Sequence, residues 1–125
     1  MSMQNLVNMT LTDTQIAAVD AALNTLETEL AGLVSLSPEE KRRIRKMGDK
    51  SESFSRQALQ VISQSPALIP SKVGVDDAIA DLKLLDQLRP RLTRLMRLCE
   101  RGSDTDAALG HDIMAVSLKA YGLMK

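Results

Sequence analysis

The spacing of apolar residues predicts a long helix near the start of this 125-residue chain. Thr12 and Gln15 occupy the two positions of a capping box, in which each side chain bonds the backbone amide of the other residue at a helix start. Six apolar residues then recur at alternating spacings of 3 and 4: Ile16, Val19, Leu23, Leu26, Leu30 and Leu33. This spacing puts them on one face, so we expect a helix of about six turns that begins at Thr12.

A second helix is predicted to begin at residues 37–40, where Ser-Pro-Glu-Glu combines an N-cap serine, a proline at the first helical position and a capping-box glutamate. Gly48 predicts an interruption, after which Asp49 and Glu52 can cap a new start. The buried face of this continuation is predicted to consist of Phe54, Ala58, Val61 and Ile62.

Two prolines and a glycine between residues 65 and 75 predict a loop. Asp76 can then cap a long third helix that ends at Gly102. Its apolar stripe consists of Ile79, Leu82, Leu85, Leu88, Leu92, Leu95 and Cys99. Pro90 lies within this stripe, and we expect a kink there because the ring removes a backbone donor and crowds the carbonyl of Asp86.

A last helix is predicted from Ser103, with Leu109, Ile113, Val116, Ala120 and Leu123 at spacings of 4, 3, 4 and 3. No segment reads as a β-strand of any length. The predicted fold class is all-α: an up-down-up-down four-helix bundle whose second helix is interrupted near Gly48 and whose third is kinked at Pro90. We expect residues 1–125 to form a single domain, with 1–11 as a flexible N-terminal segment.

The composition is that of a protein that folds, with 44% hydrophobic and 26% charged residues. No apolar stretch approaches the roughly 20 residues that cross a bilayer, and the first residues lack the regions of a signal peptide. The single cysteine, Cys99, excludes an internal disulfide. We therefore expect a cytoplasmic protein with no membrane partner.

The residues that catalysis and metal binding require are scarce. Bundles of the ferritin type bind metal through Glu-x-x-His pairs, whereas His111 is the only histidine here and is expected at the surface. Cys99 lies in the apolar register of the third helix, where a buried thiol behaves as a small hydrophobe. Phosphate-binding glycine loops and nucleophile motifs are missing from the sequence. We predict no enzymatic activity, no cofactor and no metal site.

Positive charge is concentrated in one short run, although Lys plus Arg and Asp plus Glu both total 16. Residues 41–50 contain six basic and one acidic residue, a net charge of +5. The candidate anion-binding residues in this run are Arg42, Arg43, Arg45, Lys46 and Lys50, and a second basic stripe consists of Arg91, Arg94, Arg97 and Arg101. Such residues can contact the phosphates of a nucleic acid or of a phosphorylated ligand.

The alternative interpretation of the same run is a solvated helix face. Glu39 with Arg43, and Arg45 with Asp49, stand at the four-residue spacing of helical ion pairs. The only aromatic residues are one phenylalanine and one tyrosine, so few side chains can stack on bases. We favour the solvated or internally paired face over anion binding.

The stretch LSPEEKRRIRKMGDKSESF, the later LIP at residues 68–70 and the L-x-x-L-x-P-x-L-x-x-L pattern from Leu85 to Leu95 resemble a family of small uncharacterised bacterial all-helical proteins. The resemblance covers roughly residues 36–125. It implies a helical bundle in a bacterial cytoplasm, no established activity, and a structural junction at Gly48, Asp49 and Ser51.

Three functional hypotheses follow from these features. The first is a non-enzymatic interaction module that binds a protein partner or itself, as a homo-oligomer. The second is binding of a nucleic acid or phosphate ligand through residues 41–50. The third is a small-molecule site in the bundle core near Pro90 and Tyr121, where a kink could open space between helices.

Overall fold

The computed structural model describes residues 5–65, 67, 70 and 74–125, and these residues contain helices and no strand. The helices are α1 (Asp13–Glu29), α2 (Pro38–Arg43), α3 (Asp49–Gln64) and α4 (Val75–Met124). The predicted all-α class is confirmed. The loop predicted between residues 65 and 75 lies largely outside the described residues.

The start of α1 has the predicted capping box. The Gln15 amide donates to the Thr12 hydroxyl over 3.1 Å, and the Thr12 amide donates to the Gln15 side-chain oxygen over 2.9 Å. The helix ends at Glu29, with Leu30 as its C-cap, so the predicted extension through Leu33 is wrong. Glu27 and Glu29 near this end are unfavourable beside the negative end of the helix dipole, and no basic residue offsets them in the last turn.

The second predicted helix forms two elements. Helix α2 begins at Pro38 as predicted, but it ends at Arg43, before Met47. Its continuation would place basic residues four positions apart on one face, such as Arg42 and Lys46, which repel each other. Helix α3 then begins after Gly48, which is its N-cap without a side-chain bond. The interruption near Gly48 therefore agrees with the prediction.

The buried face predicted for α3 is wrong in part. Ala58 and Ile62 are half-buried, whereas Phe54 exposes 72% and Val61 63% of their surface. Arg56, two positions after Phe54, bonds to α4. Because two positions in a helix are about 200° apart, a contact through Arg56 turns Phe54 away from α4.

Helix α4 joins the predicted third and fourth helices into one helix of 50 residues. The predicted break between Gly102 and Ser103 is wrong, and the Thr105 hydroxyl donates to the Arg101 carbonyl across this point over 2.7 Å. A glycine costs a helix only about 1 kcal/mol relative to alanine, and apolar residues continue on both sides. The bundle with separate third and fourth helices is therefore not formed by this chain alone. Pro90 lies inside α4, and the kink stays a prediction.

Helix α4 begins directly after Gly74, whereas the sequence predicted Asp76 as the N-cap. Gly74 has a φ of +83°, in the left-handed region that favours glycine. Its carbonyl accepts from the Ala78 amide over 3.0 Å. The helix thus begins at Val75, one residue before Asp76.

The chain comprises two compact units. Unit 1 is Met1–Ser37 with Cys99–Lys125, and unit 2 is Pro38–Leu98. Helix α4 contributes its first half to unit 2 and its second half to unit 1. Within residues 5–65, 67, 70 and 74–125, no residue is buried. In a pair of long helices, an apolar side chain packs against only one neighbouring helix. Much of its surface therefore stays exposed to solvent. The single-domain organisation stays a prediction.

Candidate interaction surfaces

An ionic network joins the two long helices of unit 2. The two terminal nitrogens of Arg56 on α3 donate hydrogen bonds to the two carboxylate oxygens of Asp86 on α4, over 3.0 and 2.6 Å. Its Nε also donates to Glu52 over 3.0 Å, and Arg89 on α4 donates to the other oxygen of Glu52 over 2.7 Å. The earlier residue on α3 pairs with the later residue on α4. The two helices therefore run antiparallel at this contact.

Each carboxylate in this network is held in its charged form. Hydrogen bonds from Arg89 and then Arg56 lower the pKa of Glu52, and a hydrogen bond from Arg56 lowers the pKa of Asp86. Asp86, followed by Glu52, in turn raises the pKa of Arg56. Sequence reasoning missed this network. The signal was the four-residue spacing of Glu52 and Arg56, with the glutamate first, which is the favourable order on a helix.

In unit 1 a carboxylate binds backbone amides. Asp112 on α4 accepts from the amide of Leu6 over 2.8 Å and from the amide of Val7 over 3.1 Å. The Leu6 amide is the largest cause of a lowered pKa for Asp112, and the Val7 amide and His111 add to it. Sequence reasoning missed this contact, since nothing in the spacing relates residues 6 and 112. The flexibility of residues 1–11 stays a prediction, but this contact fixes part of the segment.

Unit 2 has an open apolar surface on each long helix. Phe54 and Val61 lie seven residues apart on α3, two helical turns, and so share a face. On α4, Leu84 and Leu98 lie 14 residues apart, close to four turns, and Leu98 exposes 64% of its surface. These side chains have no covering helix within unit 2.

Unit 1 is open in the same way. The seam of α1 is about half exposed along Ile16, Val19 and Leu23. On α4, Ile113 and Val116 lie three residues apart on one face, and Val116 exposes 67% of its surface. The apolar residues recur at the predicted spacing, but about half of the surface of these side chains remains exposed.

Cys99 is exposed, so the prediction of a buried core thiol is wrong. The apolar stripe of α4 that includes Cys99 has the predicted periodicity, but no described helix covers it at Cys99. His111 is exposed as predicted. Within the described part of the chain, no three His, Cys, Asp or Glu side chains lie close enough to hold a metal ion.

The candidate anion-binding residues lie on three consecutive segments of unit 2. Arg42 and Arg43 end α2, Arg45 and Lys46 lie in the connection, and Lys50 lies in the first turn of α3. All five are exposed.

The ion pairs predicted at four-residue spacing, Glu39 with Arg43 and Arg45 with Asp49, are not formed. The described ion pairs involve Glu52, Arg56, Asp86 and Arg89. The basic run is therefore exposed and does not form the two predicted pairs. No described contact gathers its side chains around a common point.

The second basic stripe runs along α4 across the boundary between unit 2 and unit 1. Arg91, Arg94 and Arg97 belong to unit 2 and Arg101 to unit 1, and all four are exposed. The antiparallel contact pairs residue 52 with 89 and residue 56 with 86. By continuation, the first turn of α3, which contains Lys50, lies level with Arg91. Unit 2 therefore brings part of the two basic stretches to the same level.

Comparisons with models of protein families, with curated proteins and with solved structures found no match for this chain. The resemblance of residues 36–125 to small bacterial helical proteins therefore stays a prediction. No helix in residues 5–65, 67, 70 and 74–125 is long and apolar enough to span a membrane.

Proposed function

We propose that this protein is a non-enzymatic helical interaction module, which acts by docking its open helix faces onto protein surfaces. One observation carries the proposal: 44% of the residues are hydrophobic, yet none of the described residues is buried. A folded protein rarely leaves large contiguous apolar surfaces in water unless they contact another molecule.

The proposal includes the fold that association would complete. Each unit supplies two long helical segments whose apolar seams are covered on one side. Two more helices against each pair would give a four-helix cross-section with an interior, as in ordinary helix bundles. The sequence predicted a four-helix bundle from one chain. We propose instead that a four-helix bundle forms with helices from more than one chain, in the cytoplasm.

The absence of a catalytic role is part of the proposal. Its support is the sequence, which has a single histidine and a single cysteine. The one polar network described, Glu52 with Arg56, Asp86 and Arg89, pairs each carboxylate with an arginine and fastens two helices. The small-molecule hypothesis lacks support, since Pro90 lies in unit 2 and Tyr121 in unit 1, more than eight turns apart on α4.

The test is affinity capture from a cell lysate with three versions of the full chain. One is the natural chain, one carries Phe54→Ser and Val61→Ser, and the matched control carries Ser53→Gln and Gln60→Ser, which are also seven residues apart but lie about 100° around the helix. All four positions are exposed on α3, so helix content by circular dichroism should be similar in the three. We expect the natural chain and the control to retain the same protein, either another protein or a second copy of the chain, and the Phe54/Val61 variant to lose it.

Capture of the same proteins by all three versions would contradict docking through this face. Retention of nucleic acid alone, removed by nuclease or by high salt, would contradict the interaction module itself.

A second candidate function is binding of a nucleic acid or phosphate ligand through the basic run. The observation in its favour is that Arg42, Arg43, Arg45, Lys46 and Lys50 are exposed and lack the predicted acidic partners. Binding should weaken steeply with salt, because neutralising phosphates releases counterions.

Charge reversal separates this candidate from general attraction to positive charge. Arg42→Glu with Arg43→Glu should abolish binding to a labelled oligonucleotide. The control, Lys83→Glu with Lys119→Glu, changes the net charge equally at exposed positions outside the run and should retain most of the binding. Equal loss in both variants, or binding indifferent to salt, would contradict this candidate.

A further inference from the structure

We infer that a second copy of this chain covers the open faces, in an antiparallel dimer in which unit 1 of each copy lies against unit 2 of the other. The inference rests on the proposed function and names the partner of the interaction module. Three properties of the described chain support it: the charges of the units, the order of residues along α4, and the exposed apolar surface.

The two units have equal and opposite net charges. Unit 1 contains three Lys or Arg and eight Asp or Glu residues, a net charge of −5. Unit 2 contains thirteen Lys or Arg and eight Asp or Glu residues, a net charge of +5. A parallel dimer would place like charges together at both ends. An antiparallel dimer places unit 1 against unit 2 twice, so each contact joins complementary charges.

The apolar residues of α4 suit an antiparallel contact between two copies. The boundary between the units falls at Leu98 and Cys99, near the middle of α4. If this boundary lies on the two-fold axis, Leu98 of one copy lies beside Cys99 of the other. Among the residues that then lie level on this face are Leu84 with Ile113, Leu88 with Leu109, and Arg91 with Asp106.

This register pairs residues of like polarity and opposite charge. Leu84, Leu109 and Ile113 are exposed in the single chain and would contact apolar partners. Arg91 is exposed and would lie level with the carboxylate of Asp106. A two-fold contact produces each pair twice, because an isologous interface uses the same patch on both copies.

Exposed apolar surface is present on both units. Leu84 and Leu98 of unit 2 expose 56% and 64% of their surface, and Ile113 and Val116 of unit 1 expose 64% and 67%. Such side chains are the part of each unit that a second copy would cover. A net charge of zero also leaves no overall repulsion between copies.

The orientation can be measured with one spin label on each full-length chain, so that any dipolar coupling reports a distance between copies. Cys99→Ser removes the only thiol, and Gln87→Cys places the label on an exposed position of unit 2. With 1.5 Å per residue from position 87 to the boundary and back along the second copy, the antiparallel dimer gives about 35 Å. Excess unlabelled chain should remove the coupling.

The other outcomes are also decisive. A parallel dimer would place the labels side by side, within about 20 Å, and would overturn the antiparallel arrangement while leaving association intact. Absence of coupling at micromolar concentration would overturn the second copy as partner. The affinity capture with the Phe54/Val61 variant would then decide separately whether the interaction module stands.

A matched pair of charge variants tests complementarity independently of the label. Asp20→Lys on α1 makes unit 1 less negative, and Asp81→Lys on α4 makes unit 2 more positive, with the same change in net charge. Both aspartates are exposed and neither forms an ion pair with another described residue. At low salt we expect Asp20→Lys to weaken dimerisation roughly twofold to fivefold and Asp81→Lys to leave it unchanged or tighter. Equal weakening by both variants would overturn the charge argument.

Discussion

Units 1 and 2 are each built on a pair of long helical segments, but they differ in their polar contacts. In unit 2, two arginines and two carboxylates join α3 to α4. In unit 1, the seam of α1 is apolar and about half exposed, and Asp112 accepts hydrogen bonds from two backbone amides. Unit 2 also has half-buried apolar residues on both of its long helices, such as Ile62 and Leu85. The two units therefore share the apolar periodicity and differ in the polar contacts that accompany it.

Neither unit buries its described apolar residues by itself. Partly exposed ion pairs contribute little to stability, because water screens them. Half-covered leucines contribute only part of their transfer free energy. Each unit therefore gains from a further helix, and the opposite charges of the units suggest which helices are suitable.

The largest effect of a single substitution is expected in the apolar contact of unit 1. Leu26 exposes 37% of its surface, so Leu26→Ala removes mostly covered methyl groups and should lower the free energy of unfolding by about 1–2 kcal/mol. The control is Leu123→Ala, at a leucine that exposes 89% and should change little. Urea unfolding at one fixed chain concentration measures both. Equal losses would show that the seam of α1 is not the contact that holds unit 1.

Two glycines should respond in opposite directions to the same substitution. Gly110 lies inside α4 with open space around its Cα, so Gly110→Ala should stabilise by about 0.5–1 kcal/mol. Gly74→Ala should destabilise by about 1 kcal/mol, because its φ of +83° is unfavourable for a residue with a side chain. Thermal unfolding of the two variants measures the contrast. Stabilisation by both would mean that α4 does not begin through a left-handed residue.

In unit 2, two arginine variants are expected to lower the unfolding temperature by different amounts. Arg56 bonds two carboxylates and Arg89 bonds one, so Arg56→Gln should lower the unfolding temperature more than Arg89→Gln. High salt should reduce the difference, since it screens exposed charges. In unit 1 the same salt should leave the effect of Leu26→Ala unchanged. A reversed order of the arginine variants would contradict the central position of Arg56.

Acid should lower the stability of both units. This effect is expected to be the smallest and most gradual of those predicted here. The pKa values of Glu52, Asp86 and Asp112 are lowered in the fold, so the unfolded chain binds protons more readily. Their stabilisation is complete above the ordinary carboxylate range, near pH 4, and is lost as the pH falls through the lowered values. Chemical denaturation between pH 7 and pH 3 should show this loss, and Glu52→Gln should make it shallower. Stability that rises on acidification would contradict the described contacts.

Local chemistry predicted several boundaries correctly. The capping box at Thr12, the start at Pro38 and the interruption near Gly48 depend only on neighbouring residues, and the structure contains all three. Gly102 misled the prediction because a glycine can end a helix only when the flanking segments do not continue it. In α4 they do.

Burial was less predictable than helix position. The stripes that contain Cys99 and Phe54 have the spacing of a core, yet both residues are exposed. Periodicity identifies the apolar face of a helix, but the helix that covers the face lies far away in sequence or on another chain. The anchoring role of Asp112 was inaccessible for the same reason, because its partners are more than 100 residues away.

The most direct test of the central claim is the molar mass of the natural chain by sedimentation equilibrium at micromolar concentration. If a second copy covers the open faces, the mass will be twice the chain mass of 13.7 kDa and will decrease on dilution or with Asp20→Lys. A mass of 13.7 kDa at every concentration would contradict the claim.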